Sequence, residues 1–335
     1  MKRTFLSILT CFLLFSSLSA QSYKPDHDTT YYKSYKGVFI VRAYLSRKYS
    51  VLKLVPGTDL KSMSYHANTV PSLGLGFTYR SLSFSYSRGL NFLKSESRKG
   101  PTNFTDLQLR LYKRKWTIDA VASFSRGYYL TPQGTGTANG DGYFIRPDVG
   151  SQIVGLGFYR VLNDKKFSYG AALSQNAWQK KSAGSFLIGA EACYVAINGD
   201  SSFIPSLADS NYSKLRIRKM HLFEIGPSFG YAYMLVIARN YFLLGSFNVG
   251  VNYSYSREIG NSKDTKIGVW GNYIFRLAAG YNAAKWNISM AWLGARINTE
   301  GRASAYKYLF DAGGYRLVYA RRFAIGHKMK EILNQ

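Results

Sequence analysis

The sequence predicts an all-β protein, an antiparallel transmembrane β-barrel of the outer-membrane type with about 12 strands, or 14 as the alternative. Three observations predict it: an N-terminal export signal, side-chain alternation with a period of two, and an aromatic-rich composition. The 335 residues include 28 Tyr, 21 Phe and 5 Trp, with 31 Gly and only 8 Pro. Such a composition is typical of many strands with aromatic belts at the membrane interfaces.

The N-terminus carries the pattern of a secretory signal peptide. Lys2 and Arg3 precede an apolar run, Phe5–Phe15, which small residues follow up to Ala20. This order predicts a signal peptide over residues 1–20, cleaved after Ala20. The apolar run is too short for a transmembrane helix, which needs ~20 residues. We therefore expect export to the outer membrane of a Gram-negative envelope.

The rest of the chain divides into three predicted parts. They are a periplasmic N-terminal segment over 21–36, a β-barrel over 37–323 and a C-terminal tail over 324–335. No stretch reaches the ~18 uninterrupted apolar residues of a membrane-spanning helix, and the mean hydropathy is −0.17.

The alternation is clearest over Tyr241–Ser256. Its odd-numbered residues are Tyr, Leu, Phe, Val and one Gly, and its even-numbered residues are mostly Ser, Asn and Gly. Successive side chains of a strand point to opposite faces, so one face is apolar and the other polar. A polar face of Ser, Asn and Gly rather than Lys and Glu fits a confined lumen better than bulk water.

The same pattern predicts thirteen strands, an odd number, although bacterial single-chain barrels have even counts. Counting inward from the two ends of the chain disagrees between residues 149 and 220. One strand there is therefore either misread or missing, and we favour twelve strands, with fourteen as the alternative. The last strand ends in aromatic residues and resembles the signal read by the outer-membrane assembly machinery. The candidates are 37–55, 70–80, 81–88, 103–113, 116–126, 149–161, 166–176, 184–197, 221–237, 240–256, 267–281, 285–297 and 314–323.

Several short motifs carry a family resemblance. They are Arg146-Pro147-Asp148, Tyr159-Arg160-Val161, Lys166-Phe167-Ser168-Tyr169, the segment 175–185, Thr29-Thr30-Tyr31-Tyr32, Arg114-Lys115-Trp116, Gly127-Tyr128-Tyr129-Leu130 and Gly230-Tyr231-Ala232-Tyr233. With them the chain resembles a family of Bacteroidota outer-membrane β-barrel-like proteins that share a domain of unknown function. The resemblance extends over nearly the whole mature chain. It implies a barrel-like envelope protein and implies no catalytic residue.

The charge balance is strongly basic, +26 at pH 7. Exported basic proteins meet phosphate-rich lipids more often than nucleic acid. We therefore expect outer-membrane lipids with anionic headgroups and the assembly machinery as partners, and no nucleic acid. Trp178, Lys180 and Lys181 are the candidate anion contact at the barrel rim. The alternative for that segment is a polar connecting turn with an interfacial Trp.

Six charged residues interrupt the polar faces and are predicted to point into the lumen. A charge in a narrow lumen is costly unless it is paired or hydrated. They would either select solutes in an open pore or form a polar plug. The plug is favoured, because small barrels are commonly filled by their own side chains. The six are Asp106, Arg110, Asp119, Glu191, Glu224 and Arg276.

Catalysis is not favoured by the sequence. A lipid hydrolase or acyltransferase needs a nucleophile beside an activating base, and the candidate bases are His27, His66, His221 and His327. No nucleophile-elbow motif or metal-ligand spacing accompanies them, so we expect no cofactor. The predicted function is a small-solute channel or a structural envelope barrel, with the membrane-embedded lipid enzyme as the alternative.

Overall fold

The structure is a computed structural model that describes residues 26–35, 37–57, 60–90, 92 and 97–324. The predicted signal peptide and nearly all of the predicted C-terminal tail lie outside the described residues. No helix within the described ranges is both long and apolar enough to cross a membrane.

Strands account for most of the described residues, with two short α-helices and one 3-10 helix at Ser97–Lys99. The helices are α1 (Gly170–Leu173) and α2 (Ser210–Leu215). The strands are β1 (Tyr32–Ser34), β2 (Val38–Val55), β3 (Met63–His66), β4 (Ser72–Tyr79), β5 (Leu82–Gly89), β6 (Asn103–Tyr112), β7 (Trp116–Thr131), β8 (Ile145–Val161), β9 (Ala177–Gln179), β10 (Ala183–Asn198), β11 (Lys219–Ile237), β12 (Tyr241–Ile259), β13 (Lys263–Asn282), β14 (Trp286–Glu300) and β15 (Lys307–Ala324).

Twelve antiparallel strands form a closed ring. Strands β4 to β8 and β10 to β15 pair in sequence order, and β2 joins β15 to β4. The predicted count of about twelve is confirmed. Because the count is even, the two ends of the barrel domain, at Val38 and Ala324, lie at the same end of the ring. We call this the inner end, and the opposite one the outer end.

The two faces of the wall have opposite chemistry, as β12 illustrates. Leu243, Phe247 and Val251 are exposed on the outside of the ring, whereas Asn248 and Asn252, each next to one of them in the sequence, are buried inside. An apolar exterior and a polar interior are the arrangement of a transmembrane barrel. Strand β12 has 19 residues. At ~3.3 Å per residue and a tilt of ~40°, its height exceeds the ~25 Å apolar band of the membrane. The strands therefore extend beyond that band.

The predicted strand over 166–176 is wrong. Residues 162–182, which connect β8 to β10 at the inner end, instead fold into turns, helix α1 and strand β9, which pairs with β1. Phe167, Tyr169 and Leu173 are buried because the barrel encloses this segment from every direction. In a segment that is buried on all sides, alternating apolar and polar residues do not indicate a strand. Without it, the thirteen candidates become the observed twelve.

One side of the wall is built in two tiers. Strands β4 and β5 have 8 residues each and β6 has 10, whereas the flanking strands β2 and β7 have 18 and 16. Above them, the four-residue β3 bridges the outer halves of β2 and β7. Strand β7 bulges at Gly127, which has a φ of +97° and no room for a side chain, because a Cβ there would lie 2.2 Å from the Pro101 carbonyl oxygen.

Candidate functional site

The inner end of the lumen is filled by residues 163–179, which we call the inner plug. All four residues of α1 are buried. The last carbonyl groups of a helix have no partner within it, and basic side chains commonly satisfy them. Here three wall arginines donate to three successive carbonyl oxygens, the last one of the helix and the two that follow it. The bonds join Arg110 to Leu173 O at 3.2 Å, Arg42 to Ser174 O at 3.1 Å and Arg322 to Gln175 O at 3.4 Å.

Further polar contacts fix the plug to the wall. The Asn176 amide donates to the carbonyl oxygens of Arg80 and Tyr112, both at 3.2 Å. The hydroxyls of Tyr169 and Ser246 are hydrogen-bonded at 2.9 Å. These hydrogen bonds add to apolar packing, because the plug and the wall around it share a cluster of eighteen buried apolar and aromatic residues.

The N-terminal segment covers the plug from below. Beyond the β1–β9 pairing, the Tyr32 hydroxyl donates to the Asp164 carbonyl oxygen at 2.9 Å. The Asp28 amide donates to the Lys165 carbonyl oxygen at 3.0 Å. The Thr30 hydroxyl and amide both donate to the Asp28 carboxylate and hold its pKa below the usual range. Residues upstream of the barrel therefore brace the plug.

The three residues predicted as an anion contact lie in this inner-end assembly. Trp178 Nε1 donates to the Arg239 carbonyl oxygen at 2.9 Å, and Lys180 Nζ donates to the Thr29 carbonyl oxygen at 2.9 Å. Lys181 Nζ lies 5.5 Å from the centre of the Tyr31 ring. These contacts connect the plug to the rim and to the N-terminal segment. Binding of an anionic headgroup there stays a prediction.

The outer end is closed by an apolar cluster, which we call the outer seal. The connection 199–218 folds inward, so Phe203 and Ile204 are both fully buried. The Tyr65 hydroxyl donates to the Phe203 carbonyl oxygen at 2.5 Å and fixes this connection to β3. The seal comprises Leu52, Leu54, Met63, Tyr65, Tyr128, Leu130, Val149, Ile153, Val195, Ile197, Phe203, Ile204, Tyr212, Ile217, Met220, Leu222, Ile297, Tyr306, Tyr308 and Phe310.

Between the plug and the seal lies a chamber of about 190 Å³. At ~30 Å³ per molecule this volume holds about six waters or one small organic molecule. Its surface is largely apolar, but a group of charged and polar side chains also lines it. The polar lining includes Lys48, Asp106, Gln108, Arg110, Asp119, Tyr159, Glu191, Asn252, Asn272, Arg276 and Arg316.

Most of the charges around the chamber are paired. Lys48 Nζ lies 2.9 Å from an oxygen of Asp106. Asp119 lies between two arginines, 3.4 Å from Arg110 and 3.1 Å from Arg276. Each carboxylate thus contacts at least one cation, and the three cations and two carboxylates form one network across the lumen.

Two lining charges have only neutral partners. The Glu191 carboxylate accepts from the Tyr159 hydroxyl at 2.5 Å and from Ser228 at 2.8 Å. Arg316 donates to Gln108 Oε1 at 2.9 Å and stacks 4.6 Å from the centre of the Tyr44 ring. Within the described part of the chain, neither has an opposite charge within 4.0 Å, the limit for an ion pair.

All six charges predicted for the lumen lie on the inner face of the wall, and five of them line the chamber. The sixth, Glu224, is buried beside Asn272, which donates to it. Sequence reasoning missed Lys48 and Arg316. Arg316 lies between the outward Tyr315 and Leu317, so the alternation of β15 carried the signal. Lys48 lies next to Arg47 on β2, and two adjacent basic residues hide the alternation of the strand there.

The histidines do not form a catalytic pair. His221 Nδ1 and the Tyr194 hydroxyl are 2.8 Å apart on the outer surface, and the His66 ring packs against Tyr129. His27 contacts Asp26 at the inner end, and His327 lies outside the described residues. Across the described ranges, no histidine hydrogen-bonds a serine, and no cluster of His, Cys, Asp and Glu suits a metal ion.

A family model described as Domain of unknown function (DUF4421) matches residues 26–323. The chain belongs to this family. The DUF4421 match begins in the N-terminal segment and ends in β15, so it takes in the bracing segment and the inner plug together with the wall. The plug is therefore part of the family's domain and not an addition to it.

Among curated proteins, none matches this chain. Solved outer-membrane barrels match with low scores. The outer membrane protease OmpT from Escherichia coli is 9% identical, with 92% of this chain and 100% of that chain covered and a TM-score of 0.40. The translocator domain of the autotransporter NalP from Neisseria meningitidis is 10% identical, with 96% and 95% covered and a TM-score of 0.41. Similarities this distant assign no role to the DUF4421 chain.

Proposed function

We propose that this DUF4421 protein is a barrel of the Gram-negative outer membrane, exported by a cleaved signal peptide, that is closed to the flow of solutes. Its apolar exterior and polar interior support membrane insertion. The observation that carries the closed state is the outer seal, in which residues of the 199–218 connection are buried among side chains of the wall.

The energetics of the seal favour a stable closure. Burial of one large apolar side chain contributes about 1.5–3 kcal/mol. Exposing about five of them to open a path would cost roughly 7–15 kcal/mol, which is comparable to the whole stability of a typical domain. Thermal motion of the barrel therefore leaves the outer end shut, and the protein serves as a structural or ligand-holding element of the envelope.

Conductance in planar lipid bilayers tests the proposal. The purified full-length protein is expected to give no discrete conductance steps. Replacing residues 163–179 by a short Gly/Ser linker is also expected to give none, because the seal remains. Replacing residues 200–216 in addition opens both ends and gives steps. Steps from the unmodified protein would contradict the closed state.

A gated small-solute channel is the second candidate, and the polar attachment of the inner plug favours it. If the plug variant alone conducted, the seal would be permeable and the plug would be the gate. Membrane lipids and the assembly machinery remain the proposed partners, with Trp178, Lys180 and Lys181 as the proposed contact for anionic headgroups. A membrane-embedded lipid enzyme gains no support from the histidine contacts.

A further inference from the structure

The chamber presents two unpaired charges of opposite sign on facing walls. Glu191 lies on β10 and Arg316 on β15. Four strands separate them on one side of the ring and six on the other, so the two strands are nearly opposite. Both side chains are more than nine-tenths buried, with exposed fractions of 7% and 8%, and both line the chamber.

Each unpaired charge is held in place by neutral groups. Tyr159 and Ser228 both donate to the same oxygen of Glu191, Oε1, so the other oxygen accepts nothing from the described residues. Of the guanidinium nitrogens of Arg316, only Nη2 donates to a described residue, Gln108. A buried charge without an ionic partner is costly unless something in the lumen compensates it.

The ionic contacts around the chamber decide what kind of compensation fits. Among the described residues that line it, Glu191 and Arg316 are the charged side chains without an ionic partner. A simple anion would pair with Arg316 and leave Glu191 uncompensated, and a simple cation would do the reverse. A neutral molecule with one charge of each sign matches both.

We propose that the chamber binds a small zwitterion of the class of free amino acids and dipeptides. Its carboxylate pairs with Arg316, and its ammonium group pairs with the free oxygen of Glu191. The volume of 190 Å³ accommodates one such molecule. This inference goes beyond the closed barrel, which requires no ligand.

The ligand reaches the chamber from the inner side. The outer seal depends on apolar burial, whereas the inner plug combines apolar packing with hydrogen bonds to the wall that water can replace. Exchange through the plug is slow in a folded barrel. A binding test is therefore best made by folding the full-length protein from urea into detergent micelles with the probe present, which loads the chamber whatever the exchange rate.

Native mass spectrometry of the washed, folded protein then measures retention. The zwitterionic probes are L-alanine and L-alanyl-L-alanine, and the singly charged probes are N-acetyl-L-alanine and L-alaninamide. One zwitterion per barrel is expected. Each singly charged probe loses one charge-assisted contact, worth about 1.5–3 kcal/mol, and should be retained roughly 10-fold to 100-fold less well. The better-retained zwitterion distinguishes amino acid from dipeptide.

Two variants test the assigned residues. Arg316→Gln should lower retention of the zwitterions by roughly 10-fold to 100-fold, and Glu191→Gln should make N-acetyl-L-alanine and L-alanine equal. The matched control is Arg321→Gln, because Arg321 is exposed on the outer face of β15, the strand that also carries Arg316. Heat-modifiable migration verifies folding. Should Arg316→Gln fail to fold, Arg316→Lys keeps the charge and should retain the zwitterion.

Two outcomes would overturn the inference: no probe retained by the folded unmodified protein, or N-acetyl-L-alanine retained as well as the zwitterions. Neither outcome depends on conductance. A conducting barrel that retains zwitterions would contradict only the closed state, and a silent barrel that retains nothing would contradict only the ligand.

Discussion

The two closures of the barrel differ in chemistry. Both contain a cluster of buried apolar and aromatic side chains, eighteen residues around the inner plug and twenty in the outer seal. The inner plug is attached in addition by arginines that donate to main-chain carbonyls and by an amide and a hydroxyl of its own. Water can replace a hydrogen bond at a net cost of about 0.5–1.5 kcal/mol, but nothing in water replaces apolar burial. The inner closure therefore depends on polar contacts as well as on burial, whereas the outer one depends mainly on burial.

The largest effect is expected from a charge placed in the outer seal. Ile204→Asp would bury an unpaired carboxylate, so the 199–218 connection should leave the lumen. Trypsin cleavage after Arg216 or Arg218 in the folded barrel should rise by about two orders of magnitude, corresponding to ~3 kcal/mol of lost burial. The matched control is Leu207→Asp in the same connection, because Leu207 is 69% exposed. Equal cleavage of both variants would mean that the seal does not depend on burial of Ile204.

A smaller effect is expected at the inner plug. Arg42→Ala removes the bond to the Ser174 carbonyl oxygen without leaving a carboxylate unpaired. A hydrogen bond from a charged donor contributes about 1.5–3 kcal/mol, so the plug should open roughly 10-fold to 100-fold more often. Maleimide labelling of a thiol introduced by Ala172→Cys, in a Cys193→Ala background, measures this opening.

Arg47→Ala on the same strand is the control for this plug variant. Arg47 is exposed on the outer face of β2, so labelling should match the parent. Labelling that fails to rise in the Arg42 variant would mean that the arginines do not hold the plug.

The smallest effect is expected in the N-terminal segment. Tyr32→Phe removes only the hydroxyl that donates to Asp164 O and keeps the ring. The loss of one neutral hydrogen bond, about 0.5–1.5 kcal/mol, should raise the labelling rate of the same introduced thiol by roughly 2-fold to 10-fold. Tyr31→Phe, tested in parallel, is the control and should leave the labelling rate unchanged. An effect as large as that of Arg42→Ala would place the main restraint in the brace rather than in the wall.

The sequence predicted the strands of the wall more reliably than the segments that fill the lumen. In β12 one face meets lipid and the other the lumen, so period-two alternation reports the strand directly. The segment 166–176 lies inside the barrel, where both faces are buried, and its alternation is misleading. The sequence indicates the seal only weakly, through Phe203 and Ile204, two adjacent apolar residues within a predicted loop.

The ion pairs of the chamber could not be derived from the sequence. Asp119 and Arg276 are 157 positions apart, and their contact depends on the stagger of strands around a closed ring. Alternation placed both on the lumen face, but it does not tell which charges meet. For the same reason, no pattern in the sequence separates the unpaired Glu191 from the paired Asp106.

The plug is a connection between two neighbouring strands, since β8 and β10 pair directly with each other. Both of its ends are anchored at the inner rim, so it can swing out of the lumen or return without breaking any hydrogen bond of the wall. The wall and the plug are thus separable modules. Replacing the plug with a tight turn, such as the one at Arg80-Ser81, should preserve the register of all twelve strands.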